Sequence, residues 1–209
     1  MSKEDLLQQL NPQQISAVTH FTGPALVVAG PGSGKTRVLT HRVAFLIKER
    51  NIPERNILTV TFTNKAAKEM KGRVKNLLKG KISLPWSGTF HSICARILRK
   101  YGFHLGITVS YSIYDTDDQK SLVKEIIKDF GIDSKKFKPT SVLATISSAK
   151  SELIKPVTYA DLANGYYQRT VAKIYPEYQK RLRKNDALDF DDLLVETVNL
   201  FKQEKEVLE

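Results

Sequence analysis

Residues 29–36, AGPGSGKT, constrain this 209-residue chain more than any other segment. They follow a short apolar run, residues 25–29, that begins after Gly23-Pro24, and they lead into a stretch of helical periodicity at residues 35–48. Strand, glycine loop and helix in that order form the setting of a phosphate-binding loop. Gly30, Gly32 and Gly34 permit positive φ and close approach of backbone to a ligand. The cradle then comprises Ala29, Gly30, Pro31, Gly32, Ser33 and Gly34; the N–H groups of all but Pro31 can surround phosphate oxygens, and the helix start adds partial positive charge. Lys35 supplies an ammonium for the β- and γ-phosphates and Thr36 a hydroxyl for Mg²⁺, which makes these two the catalytic candidates. Ala29 occupies the first position of the usual G-x-x-x-x-G-K-[ST] pattern, a strand-to-loop turn where a small residue suffices.

The amino-terminal half repeats this alternation. Strands are predicted at residues 25–29, as a fully buried run, at residues 57–62 and, more weakly, at residues 87–90. Helices are predicted at residues 11–19, 35–48, 64–78 and 90–101, with Thr63 or Asn64 capping the third. Strands alternating with helices of this length indicate βαβ units, hence an α/β fold with a parallel sheet. From about Tyr111 helical spacing dominates, first through Leu122, Ile126, Ile127 and Phe130, then through residues 142–146 and 166–182. That change of texture indicates a helical insertion or a second domain. Residues 189–201 close the chain with an amphipathic helix carrying Phe190, Leu193, Leu194, Thr197 and Phe201 on one side.

Two acidic groups read as helix starts rather than catalytic carboxylates. In DTDDQ, residues 115–119, Thr116 with Gln119 makes a capping box, and Asp117 and Asp118 favour the helix dipole. Asp189, Asp191 and Asp192 stand in the same relation to the last helix.

Charge is distributed unevenly. Residues 1–100 hold 17 basic and 5 acidic side chains, whereas residues 101–209 hold 16 and 17. Between residues 59 and 100 there are ten basic residues against one acid, Glu69. A cationic half beside a near-neutral half points to a polyanion, although a lysine-rich solvated surface would give the same count. No apolar run approaches the ~18 residues of a membrane span. The single cysteine, Cys94, cannot form an intramolecular disulfide, and the start MSKEDLLQQL has no apolar signal segment, so a cytoplasmic location is expected.

Three further segments carry chemistry. LNPQQISAV, residues 10–18, starts a helix at Asn11-Pro12 and presents Gln13 and Gln14, whose amides suit the edge of adenine but serve equally well on a solvated helix. LTVTFTNKAAKEM, residues 58–70, ends a strand in Thr61, Phe62, Thr63, Asn64 and Lys65. Phe62 there reads either as a base-stacking ring or as a core side chain. GTFHSICARIL, residues 88–98, gives a second strand end with Thr89, Phe90 and His91. Ligands of open parallel sheets bind at the carboxyl ends of strands, so three such exits can share one edge.

Taken together, LNPQQISAV, AGPGSGKTRVLTHR, TFTNKAAKEM and TFHSICARIL resemble the motifs of superfamily 1 DNA helicases of the UvrD/PcrA/Rep group. The likeness continues through YSIYDTDDQ, ISSAKSELI and ALDFDDLL and so covers essentially the whole chain. It implies a RecA-like P-loop parallel sheet, an incomplete motor domain, with a mostly helical inserted subdomain. Residues 1–110 would be the first part of the motor, 111–186 the insertion and 187–209 the return. It implies ATP and Mg²⁺ as cofactors, with Gln14 on adenine, Arg37 near the base and Thr36 on the metal. It assigns Thr61, Phe62, Thr63, Asn64 and Lys65, with Thr89, Phe90 and His91, to single-stranded DNA. The implied partners are single-stranded DNA, duplex with a single-stranded tail, and carboxyl-terminal helicase domains outside this sequence; no membrane is implied. The implied activity is 3′ to 5′ helicase and translocase action in DNA repair or replication. Family members place an Asp-Glu pair on a strand just beyond a segment like ALDFDDLL, and this sequence reaches Glu209 before it. The second motor domain, with its arginines for the γ-phosphate, is likewise outside. Weak nucleotide binding with little turnover is therefore expected of these 209 residues. A non-hydrolysing, nucleotide-responsive DNA-binding module is the alternative; a small-molecule P-loop kinase fits the paired strand ends and basic half poorly.

Overall fold

Asn11-Pro12 opens a helix as its chemistry dictates. In a computed structural model, which describes residues 6–80 and 82–209, helix α1 spans Pro12–Thr19. The Asn11 Oδ1 accepts from the Gln14 N–H at 2.9 Å and the Gln14 Oε1 accepts from the Asn11 N–H at 3.1 Å, a reciprocal cap. The chain forms two units, divided between Ile93 and Cys94.

In the first unit, helix α2 (Lys35–Lys48) is buried on two sides. Val38 and Phe45 pack with Leu10 and Val18, while Val43 packs with Ile57, Val74 and Leu84. Arg42 of α2 also donates to the carbonyls of Ala17, at 3.0 Å, and His20, which closes the end of α1. Strand β1 (Thr59–Thr61) leads into helix α3 (Asn64–Leu78), and strand β2 (Ser87–Thr89) leads into helix α4 (Phe90–Tyr101). Thr63 caps α3, its Oγ1 accepting from the Ala66 N–H at 3.1 Å. β1 and β2 pair in parallel with Thr59 opposite Ser87 and Thr61 opposite Thr89, the expected βαβ unit.

The apolar run at residues 25–29 departs from expectation. It belongs to no strand; Leu26 is 89% exposed and Val28 87%. A central strand is buried by neighbours on both edges and helices on both faces. Among the described residues β1 and β2 pair only with each other, and this run joins neither.

The second unit is mostly helical: β3 (Ser112–Ile113), α5 (Thr116–Asp129), α6 (Pro139–Ser151), α7 (Pro156–Leu162), α8 (Tyr166–Lys184), β4 (Ala187–Leu188), α9 (Phe190–Gln203) and α10 (Lys205–Leu208). β3 and β4 make a second short parallel pair. The apolar positions at helical spacing converge: Val123 and Ile126 of α5, Val142 and Ile146 of α6, and Val171, Ile174 and Tyr178 of α8 form one core and are essentially unexposed. The cap of α5 is one residue earlier than expected. Asp115, not Thr116, accepts from the N–H groups of Asp117 (2.8 Å) and Asp118 (3.0 Å), and Asp118 accepts in return from the Asp115 N–H. Both orphan donors converge on the one oxygen, Asp115 Oδ1, and they hold the Asp115 carboxyl below its ordinary range.

Asp189 and Asp192 cap α9 reciprocally, and they are also buried. Lys150 of α6, itself buried, donates to Asp189 Oδ2 at 2.6 Å and Asp192 Oδ1 at 2.8 Å; the Tyr178 hydroxyl donates to Asp189 Oδ2 at 2.9 Å. Burial pushes the Asp192 carboxyl up to about 6 against the opposing pull of Lys150. The fold is thus mixed α/β, with short parallel pairs and mostly helical content, as an incomplete RecA-like domain has.

Candidate functional site: the phosphate loop and the paired strand exits

α2 starts from a left-handed residue, Gly34, at φ +85°, and Gly32 stands at φ +74°. A side chain at Gly34 would be strained by that φ and would place its Cβ 2.8 Å from Gln14 Nε2. Gln14 comes this close because its Nε2 donates to the Ser33 carbonyl at 3.1 Å. The glutamine motif and the glycine loop therefore meet. With one amide hydrogen on Ser33 and Oε1 on the Asn11 N–H, Gln14 keeps one hydrogen and one lone pair for a ligand.

The first intrahelical hydrogen bond of α2 runs from the Val38 N–H to the Gly34 carbonyl at 2.9 Å. The N–H groups of Lys35, Thr36 and Arg37 precede it, and Lys35 and Thr36 are exposed. No acidic residue occurs between Leu6 and Lys48, so no carboxylate competes for these donors within that stretch. The Lys35 ammonium folds over its own loop, donating to the carbonyls of Ala29 (2.8 Å) and Gly30 (2.7 Å). That leaves one of its three donors free. Ser33 tightens the turn, its hydroxyl donating to the Gly30 carbonyl at 2.6 Å. Pro31 is exposed beside it. The arrangement brings together a glycine-rich turn, the start of a helix and an ammonium held only by backbone carbonyls, a setting suited to an anion.

Arg37 points to Gln9, its guanidinium donating to the amide oxygen at 2.7 Å. Both line an open cavity of about 750 Å³ shared with Thr40 and His41 of α2 and Arg73, Asn76 and Leu77 of α3. Arg73 lines this cavity as well, placed there by the packing of α3 on α2 rather than by any local signal in the sequence.

The second and third exits lie side by side because Thr61 and Thr89 are register partners. The next residue on each strand is phenylalanine. Phe62 is 92% exposed, which removes the core alternative, and Phe90 is about half exposed. Their ring centroids are 5.9 Å apart at 47°. Asn64 and Lys65 are exposed beside Phe62. Several hydroxyls are committed locally: Thr61 donates to the Thr63 carbonyl at 3.0 Å, Thr63 caps α3, and Thr89, buried, accepts from the Ser92 N–H at 3.2 Å. His91 is half-buried. A Cβ at Gly88 would meet the Ser92 hydroxyl at 2.3 Å and force it to turn away from the Thr89 carbonyl, to which it donates at 2.9 Å. The ladder joins these two exits and leaves the phosphate loop outside it.

Asp115, Asp189 and Asp192 cap their helices, and Asp189 and Asp192 are also buried. Among the described residues no group of three or more His, Cys, Asp or Glu side chains is placed to hold a metal ion. No helix among them is long and apolar enough to cross a membrane.

Comparison with known proteins accords with this geometry. The chain is 52% identical over 204 residues to the ATP-dependent DNA helicase PcrA of Bacillus subtilis (strain 168), and 48% to that of Staphylococcus aureus (strain Mu50). It is 47% identical to that of a Staphylococcus epidermidis strain. Each alignment takes in 98% of this chain and 28% of the relative, so the chain spans little more than a quarter of their length. Residues 10–209 match the UvrD/REP helicase N-terminal domain, and the chain therefore belongs to that helicase family.

Proposed function

We propose that these residues are the amino-terminal, nucleotide- and DNA-binding part of an ATP-dependent 3′ to 5′ DNA helicase that acts in the cytoplasm on DNA under repair or replication. The observation that carries the reading is the exposed Phe62–Phe90 pair at adjoining strand exits in a unit that also holds a glycine cradle. A small-molecule kinase has no use for two exposed rings beside a lysine, whereas a single strand stacks its bases on such rings.

In this reading the N–H groups of Gly30 and of residues 32–36 and the Lys35 ammonium bind the triphosphate of ATP, Lys35 exchanging its contacts with the Ala29 and Gly30 carbonyls for phosphate oxygens. Gln14 reads the adenine edge with its remaining hydrogen and lone pair. Arg37, with the cavity beside it, takes the base side. Mg²⁺ would rest on the Thr36 hydroxyl and on the phosphates themselves, and when bound it would neutralise charge on them. Phe62 and Phe90 take bases of single-stranded DNA, Asn64 and Lys65 take its phosphates, and Thr61, Thr63, Thr89 and His91 shape that surface. Residues 1–110 and 187–209 serve as motor, with 111–186 inserted. The exposed run at residues 25–29 becomes a central strand when segments outside these 209 residues join the sheet, which the greater length of the relatives supports. In this reading these residues alone bind nucleotide and hydrolyse it barely. Duplex with a single-stranded tail is the substrate of the whole protein.

Lys35→Ala tests the reading. Affinity for a fluorescent ATP analogue falls by about 1.5–3 kcal/mol, the scale of a hydrogen bond to a charged group. Circular dichroism of the helices stays unchanged. An unaltered affinity overturns the assignment.

A further inference from the structure

α3 leaves the β1 exit and carries five basic residues against one acid. At 3.6 residues per turn, Lys65, Lys68, Lys71 and Lys75 fall within about 120° of one another and extend over roughly 15 Å of helix axis. All four are exposed. The one acid, Glu69, stands about 40° outside the lysine arc and pairs with Arg73, which lies farther round the helix. Lys71 and Lys75 line the same shallow hollow, of about 140 Å³, with Gly72 between them. The helix has no aromatic residue, so this face offers charge without stacking.

We propose that the lysine face of α3 continues the single-strand track. The strand held at Phe62 and Phe90 passes Lys65 and runs on along Lys68, Lys71 and Lys75, which contact its phosphates and none of its bases. The inference rests on the reading of the exits as a DNA site. It follows from continuity, because the first lysine belongs to the exit and the rest follow on the same face, and from charge, because a row of unpaired ammonium groups on an acid-free face complements a phosphodiester backbone.

Gly72 provides a clean probe. It lies within the lysine arc, and a Cβ there meets nothing within 4 Å. Glycine is a poor helix former, so replacing it strengthens α3. The experiment measures anisotropy of labelled oligothymidylates on the 209-residue chain over a range of salt concentrations. One oligonucleotide has about five nucleotides, enough for the exits, and one about sixteen, within the span of known single-strand sites. The triple variant Lys68→Gln, Lys71→Gln, Lys75→Gln should hold the short strand within about twofold of the parent and bind the long one about tenfold more weakly. Its salt slope on the long strand should fall by about 2, at ~0.7 for each phosphate no longer neutralised. Gly72→Glu should reproduce the loss and Gly72→Ala should not. If the parent binds the short strand and the long-strand affinity ignores all these changes, the α3 track is wrong while the exits stand. If the parent binds neither length, both readings fall. If blunt duplex of matching length depends on the lysines as strongly as the single strand does, the assignment to a single strand is wrong.

Discussion

Two helix starts in this chain have opposite fates. α2 begins at Gly34 with its first N–H groups exposed and no acid near it in sequence, whereas α9 begins at Asp189 with a reciprocal carboxylate cap sealed beneath α6 and α8. Both sites contain a lysine. Lys35 rests on two backbone carbonyls that a ligand can displace; Lys150 is fixed by two buried carboxylates. A helix start whose donors are satisfied by its own chain is structure, and one whose donors are left to solvent is available for chemistry. The helical unit concentrates its packing around the first kind, and the amino-terminal unit leaves the second kind open beside an unburied apolar run.

The largest effect expected from breaking this contrast is at Lys150. Lys150→Met keeps the apolar stem but leaves Asp189 and Asp192 buried without a cation. Loss of one partner from a buried pair costs about 3–5 kcal/mol. Urea unfolding followed by circular dichroism should show that loss. A change below about 1 kcal/mol would place the cluster in water and equate the two helix starts.

This cluster marks where sequence reading stopped. Asp189 and Asp192 were legible as caps because capping depends on neighbours three residues apart. Their burial was not, because Lys150 lies 39 and 42 residues away and nothing local ties it to them. The same division holds elsewhere. The bounds of α2, α3 and α4 follow from caps, glycines and spacing and match those predicted. The run at residues 25–29 has the composition of a buried strand, but burial is conferred by neighbouring strands, and composition cannot report whether they are present. At the exits, the sequence left Phe62 between core and surface, and the pairing of β1 with β2 decided it.

A smaller effect is expected at Phe62. Because the ring is almost wholly exposed, Phe62→Ala removes little packing, and its stability cost should stay within about 0.5 kcal/mol. Single-strand affinity should fall by about 1–3 kcal/mol, the scale of one base stacked on an aromatic side chain. Both are measured on one preparation, by urea titration and by anisotropy of a labelled oligonucleotide. Loss of stability with unchanged binding would make Phe62 a structural residue and would leave the phosphate loop as the sole ligand site of its unit.

The smallest effect belongs to the unburied run. Leu26 and Val28 are as apolar as the residues that fill the helical core, but they are in contact with water. The hydrophobic contribution scales with area removed from water, and at Leu26 almost none is removed. Leu26→Lys should therefore shift unfolding of the amino-terminal unit by no more than about 0.5 kcal/mol, and a charge on an exposed apolar run should also reduce self-association. Trp86, the only tryptophan of the chain, reports that unfolding by fluorescence. A loss of about 2–5 kcal/mol, the range for truncating a buried leucine, would mean that residues 25–29 are already a core strand in these 209 residues. The amino-terminal unit would then be packed like the helical one, and the contrast between an open and a sealed helix start would no longer coincide with a contrast in packing.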